Sequence, residues 1–117
     1  MTPEGKVKKM IKEHLEQFGE DVYQHWPVLN GMGSPELDCN LIVDGRDISI
    51  EAKEPGKHMT PRQQLTAAAK RRAGGLVFEV DSEFDMAFAV RAIKHILAHH
   101  PMKAWDEEQL NIENKNV

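Results

Sequence analysis

Two runs of alternating apolar and polar residues meet at Asp44-Gly45, and that dipeptide leaves the middle of the chain few ways to fold. A two-residue loop between twisted strands needs positive φ at both loop positions, which suits Asp-Gly. With these two residues as the loop, Val43 faces Arg46, Leu41 faces Ile48, Cys39 faces Ile50 and Leu37 faces Ala52. That is one apolar face. On the other face Asn40 meets Ser49, Asp38 meets Glu51 and Glu36 meets Lys53. The alternation is clean on both strands, which supports the count, although a bulge would shift it. Opposed residues have β-carbons about 5 Å apart, so the carboxylates of Asp38 and Glu51 converge. Lys53 lies two residues from Glu51 on the same face.

The rest of the chain is organised around this hairpin. Thr2-Pro3 reads as an N-cap followed by proline at the first helical position. Val7, Met10, Ile11, Leu15 and Phe18 then recur at helical spacing until Gly19. A strand is expected from Val22 to Leu29, with Tyr23 and Trp26 packing inward, followed by a loop over Asn30-Gly31-Met32-Gly33-Ser34-Pro35. After the hairpin, Glu54-Pro55-Gly56-Lys57-His58-Met59 is rich in turn residues. Thr60-Pro61 repeats the cap-plus-proline signal and opens a helix to about Ala73, broken by Gly74-Gly75. Leu76 to Val80 reads as a short interior strand. Ser82 caps a last helix carrying Phe84, Met86, Phe88, Val90, Ile93, Ile96 and Leu97, which Pro101 ends. The order α-β-β-β-α-β-α, with a strand-helix-strand crossover after the hairpin, implies a mixed β-sheet flanked by helices, an α/β sandwich. Residues 1–100 make a single domain and 101–117 a polar C-terminal tail.

Composition narrows the function classes. The 117 residues fit one domain. No run of 18 apolar residues exists to span a bilayer, and no apolar signal region stands at the N-terminus. Cys39 is the only cysteine, which excludes an internal disulfide and fits a reducing cytoplasm. The net charge of −4 argues at first against a nucleic-acid partner. Local clusters temper that: Lys6, Lys8, Lys9 and Lys12 crowd one helix, and Lys70, Arg71 and Arg72 end another, while Asp106, Glu107, Glu108 and Glu113 sit in the tail.

The residues themselves suggest phosphate chemistry. Two opposed carboxylates repel, a cost that makes sense around a divalent cation. Asp38 and Glu51 offer the hard oxygens that Mg²⁺ or Mn²⁺ prefers. Such an ion polarises a phosphoryl oxygen and acidifies a bound water, and Lys53 is placed to orient that water or to stabilise developing charge. The competing reading is a solvent-facing sheet with a plain Glu36–Lys53 pair. Glu4 shares the apolar stripe of the first helix and has two readings, a glutamate favoured by the helix dipole or a member of the site.

Gly33-Ser34-Pro35-Glu36-Leu37-Asp38, Ile50-Glu51-Ala52-Lys53 and Thr60-Pro61-Arg62-Gln63 together resemble the VRR-NUC domain (virus-type replication and repair nuclease) of the PD-(D/E)XK superfamily, and in particular its small, phage-type stand-alone members. The resemblance covers about residues 2 to 95 and includes the Pro-Gly-Lys loop, the Gly-Gly break and the strand to Val80. It implies a restriction-endonuclease-like core and metal-dependent hydrolysis of DNA that leaves a 3′-hydroxyl and a 5′-phosphate. By that resemblance Asp38 and Glu51 bind Mg²⁺ or Mn²⁺, the Ala52 carbonyl and Glu4 complete the metal shell, Lys53 is the catalytic lysine, and Gln63 positions substrate or water. Some stand-alone relatives resolve branched DNA as homodimers and others act as structure-selective nucleases, so selection by branch, flap or junction and a homodimeric assembly are implied. The family has proline directly before its aspartate. Here Leu37 precedes Asp38, Pro35 stands further upstream, and Glu36 rivals Asp38 as ligand.

Lys9, Lys12, Lys57, Arg62, Lys70 and Arg71 are the candidate contacts to flanking phosphates. His95, His99 and His100 near the end of the last helix suit its dipole, and Cys39 falls on the apolar strand face as a core residue. The alternatives to a DNA endonuclease are a non-catalytic DNA-binding or assembly module that keeps the nuclease fold, and a nuclease acting on RNA.

Overall fold

The structure, a computed structural model, describes residues 1–28 and 36–99. The anticipated loop over 30–35, residue Leu29, His100, Pro101 and the tail with Trp105 lie outside the described residues. Helix α1 spans Pro3–Leu15, β1 Val22–His25, β2 Cys39–Val43, β3 Arg46–Ala52, α2 Pro61–Arg72, β4 Leu76–Val80 and α3 Glu83–His99. A 3₁₀ segment, Glu16–Asp21, joins α1 to β1 and kinks at Gly19, whose φ of 53° suits glycine. The four strands form one sheet in the order β1-β2-β3-β4, antiparallel except for the parallel β3–β4 pair.

The three helices and the hairpin turn form where their local signals put them. Thr2 Oγ1 accepts from Gly5 N at 3.0 Å with Pro3 behind it, so α1 starts as expected. Thr60 and Gln63 form a reciprocal capping box at the start of α2. Ser82 Oγ accepts from Asp85 N at 3.3 Å and caps α3. At the hairpin, Asp44 and Gly45 have φ of 46° and 83°, as a type I′ turn requires. The register then follows the count outward from the turn as far as Cys39↔Ile50.

Beyond that pair the extrapolated register does not hold. The β2–β3 ladder stops at Cys39, and Leu37 does not join Ala52 on the apolar face. Leu37 packs instead with Ala67 of α2, Val77 and Met59, whereas Ala52 belongs to the main core. Glu36 likewise shares no strand pair with Lys53; it lines a pocket with His25, Pro27, Leu37, Asn40 and Lys70. The chain leaves the ladder because the carboxylate of Asp38, rather than a backbone carbonyl, takes the next N–H of β3.

The main core lies between the sheet and the pair α1 and α3, with Ile11, Leu15, Leu41, Val43, Ile48, Ile50, Met86 and Ile93 fully buried. The α2 side is thinner and more polar. Lys70 reaches onto it and donates to Asn40 Oδ1 at 2.8 Å and Ser49 Oγ at 2.7 Å.

Three expectations are corrected. β1 ends at His25 rather than at Leu29, because Pro27 brings no N–H to a ladder and biases its predecessor's backbone. Tyr23 is largely exposed on that edge strand, while Trp26 packs against the core. β4 is an edge strand rather than an interior one. In α3, Phe84 and Phe88 face outward, and the helix buries Met86, Ala89, Ile93 and Ile96, whose 3-4-3 spacing keeps them on one face.

Candidate active site

The site is built where β3 outruns β2. Glu51 and Ala52 are the last residues of β3, and the β3–β4 ladder continues for one more bond, from Lys53 N to Val80 O at 2.9 Å. Successive backbone amides of a strand point to opposite edges. Lys53 N therefore points toward β4, and Ala52 N and C=O point toward the β2 edge, where β2 has already ended. Asp38 fills that gap. Its Oδ2 accepts from Ala52 N at 3.0 Å, and its own backbone N–H donates to Glu51 Oε1 at 3.0 Å. This pair of reciprocal bonds locks the two acidic residues together.

The other oxygen of Glu51 is equally engaged. Gln63 Nε2 donates to Glu51 Oε2 at 2.8 Å, and Lys53 Nζ lies 3.4 Å from the same oxygen. Gln63 reaches the site because the capping box fixes it at the third position of α2. Asp38 Oδ1 faces Lys8 Nζ of α1 at 3.5 Å. Asp38, Glu51 and Lys53 are nearly sheltered, with side chains 8%, 3% and 12% exposed. Burial, and next the charge of Asp38, push the Glu51 carboxyl up to about 7; the Asp38 N–H and Lys53 offset this only in part. Burial and then the Asp38 charge push the neighbouring Cys39 thiol up to about 12, which leaves it an inert core residue.

The structure thus brings together Asp38, Glu51, Lys53 and Gln63, with the Ala52 carbonyl on the same edge. Glu4 is half-buried in the first turn of α1. Among the described residues no three acidic, histidine or cysteine side chains gather into a metal-binding group, so Glu4 does not join Asp38 and Glu51 as a third carboxylate. The donor set that does assemble, two carboxylates and a strand-end carbonyl, consists of hard oxygens and fits Mg²⁺ or Mn²⁺ in kind.

The candidate phosphate contacts divide. Lys57 and Arg62 are exposed, on the loop between Lys53 and α2 and in the first turn of α2. Lys57 sits on a type II turn whose Gly56 has φ of 86° and whose Lys57 N bonds to Glu54 O at 2.9 Å. Lys9 pairs with Glu13 at 3.9 Å along the helix, and Lys12 lies 4.6 Å above the Trp26 ring. Lys70 is turned onto the sheet, and Arg71 donates to Val77 O at 2.9 Å. These two side chains tie α2 to the sheet, and Arg71 stays exposed.

Three residues escaped the sequence reading. Lys8 was one of four clustered lysines, and only the packing of α1 shows which of them reaches Asp38. Glu79 stands directly across the parallel ladder from Glu51; its Oε1 accepts from Met59 N at 2.7 Å and lies 3.3 Å from His58 Nδ1. Asp81 Oδ2 accepts from Gly56 N at 3.0 Å. Together the carboxylates of Glu79 in β4 and Asp81 just after it pin the loop between Lys53 and Gln63. A parallel register drawn from Leu76 would have placed Glu79 beside Glu51.

A mixed sheet with the acidic pair and lysine at one strand end, flanked by α1, α2 and α3, defines a restriction-endonuclease-like α/β fold. It is the fold of a solved VRR_NUC domain, to which the chain is similar with a TM-score of 0.59 and 24% identity over 86% of this chain and 99% of that one. No family model matches the sequence. Among curated proteins the chain is similar to a tRNA pseudouridine synthase Pus10 of Korarchaeum cryptofilum (strain OPF8), 27% identical over 94 residues that make up 79% of this chain. The chain spans only 24% of that relative's length. Among the described residues no helix is long and apolar enough to cross a membrane.

Proposed function

We propose that this chain is a metal-dependent DNA endonuclease that hydrolyses phosphodiester bonds and selects its substrate by DNA structure, such as a branch, flap or junction. The observation that carries the reading is the interlocked set Asp38, Glu51, Lys53 and Gln63 at the end of β3 on a nuclease-type fold. Asp38, Glu51 and the Ala52 carbonyl would hold Mg²⁺ or Mn²⁺. Once bound, such an ion polarises a phosphoryl oxygen and lowers the pKa of a coordinated water. Lys53, nearly buried and paired with Glu51, directs its ammonium to where charge develops on the phosphate and orients the attacking water. Gln63 holds the Glu51 carboxylate in one orientation. Lys57 and Arg62, both exposed and close in sequence to Lys53 and Gln63, grip flanking phosphates. A homodimer would extend that grip beyond what one small domain offers.

The test is nicking of supercoiled plasmid in Mn²⁺, with Lys53→Ala alongside. Cleavage by the wild type that falls on the order of 10²-fold or more in the variant supports the assignment. Equal cutting by both proteins places the activity elsewhere, and binding without cutting by either indicates a non-catalytic module. RNA is the second reading, favoured by the likeness to a protein named for tRNA modification. A panel of duplex, single strand, flap, four-way junction and RNA decides between the two polymers.

A further inference from the structure

The two acidic residues are neutralised from two different elements. Glu51 is paired with Lys53 from its own strand end, whereas Asp38 is paired with Lys8, which comes from α1. Asp38 Oδ2 is committed to Ala52 N, so Oδ1 is the oxygen left to ligate a cation, and it is the oxygen that Lys8 Nζ faces at 3.5 Å. The other lysines of α1 are directed elsewhere: Lys9 toward Glu13, Lys12 over Trp26, and Lys6 along a groove with Pro55 and Ser82. Lys8 keeps 37% of its side chain exposed and has a flexible four-carbon stem, so its ammonium can leave without disturbing the core.

We propose that Lys8 is the resident counter-ion of Asp38, and that a divalent cation must displace it to reach the aspartate. This deepens the nuclease reading and rests on it. In the metal-free protein the ammonium holds the Asp38 carboxylate in place beside Glu51. An ammonium and a divalent cation on one carboxylate oxygen repel each other, so metal loading moves Lys8 outward from the carboxylate pair. The cost of that displacement is part of the measured metal affinity.

The proposal is tested by calorimetric titration of the whole chain with Mn²⁺, joined to thermal melts with and without the metal. Lys8→Met and Lys8→Gln remove the competitor, Lys8→Arg keeps a cation, and Lys94→Met on α3 makes the same change in net charge far from the site. Both neutral variants are expected to bind Mn²⁺ roughly tenfold more tightly than wild type. Their metal-free Tm falls, their Mn²⁺-saturated Tm matches wild type, and Lys8→Arg and Lys94→Met keep wild-type affinity. A lysine that merely packs α1 against the sheet would lower both melting temperatures and leave the affinity unchanged. Folded neutral variants with unchanged or weaker Mn²⁺ affinity overturn the counter-ion role and leave the nuclease reading standing. Absence of Mn²⁺ binding by every form, with a non-cleavable phosphorothioate duplex present, overturns both.

Discussion

Gln63 joins the start of α2 to Glu51 through the two ends of one amide. Its Oε1 accepts from Thr60 N at 3.0 Å and its Nε2 donates to Glu51 Oε2 at 2.8 Å. The helix cap and the candidate metal ligand therefore share one residue, and the two functions separate by substitution. Gln63→Glu keeps an acceptor for the capping box but turns a carboxylate toward Glu51, whereas Gln63→Ala loses both bonds. Gln63→Ala is expected to cost about 1 kcal/mol in urea melts. Gln63→Glu should recover part of that stability in acid, lose it toward neutral pH as the two carboxylates repel, and nick no faster than Gln63→Ala. A glutamate variant as active as wild type would sink the link.

The raised pKa of Glu51 makes the metal-free protein pH-sensitive in a defined direction. Its folded value, about 7, lies above the ordinary 4.5, so between these values the folded state binds more protons than the unfolded state. Stability from this group is then greatest at the acid end and declines as pH rises toward 7. Glu51→Gln should flatten that decline in melts taken without divalent ions. Mn²⁺ affinity should rise over the same interval in the wild type, because the ion needs the ionised carboxylate.

Lys70 and Lys57 should behave oppositely despite equal charge. Lys70→Met removes donors to Asn40 and Ser49 on the sheet and is expected to cost about 1–3 kcal/mol of stability with little change in the salt dependence of DNA binding. Lys57→Ala should leave the melting temperature nearly unchanged, weaken DNA binding in Ca²⁺, and reduce the slope of log affinity against log salt by about 1. Fluorescence anisotropy across a salt series measures both.

Cys39 gives a direct check on the core beside Asp38. Fully buried and with its thiol pushed up to about 12, it should react with a thiol reagent only after unfolding. Labelling of the native protein at the rate of a free thiol would show that the Asp38 end of β2 opens locally.

Glu79 offers a test of the loop. Its carboxylate holds Met59 N, the residue before the Thr60 cap, so Glu79→Ala should loosen the approach to Gln63. The expected result is a lower nicking rate with DNA affinity in Ca²⁺ changed less than by Lys57→Ala. Loss of affinity with the rate preserved would contradict it.

Much of this protein is local and was readable from the chain. The Asp44-Gly45 turn demands positive φ at both positions, and the alternation on either side then fixes the pairs out to Cys39 and Ile50. Thr2, Thr60 and Ser82 start their helices through contacts three residues long. Asp38, Glu51 and Lys53 were legible from the same count outward from the turn, whereas Gln63 was named only by the resemblance. What only the tertiary structure decided begins where the ladder ends. Asp38 leaves the strand to take the N–H of Ala52, Leu37 crosses to the α2 side, Lys8 rather than Glu4 is brought to the acidic pair, and Lys70 folds onto the sheet. Hydrogen-bonding periodicity is a property of neighbouring residues, but the destination of a long charged side chain depends on which elements pack around it, and no spacing along the chain encodes that.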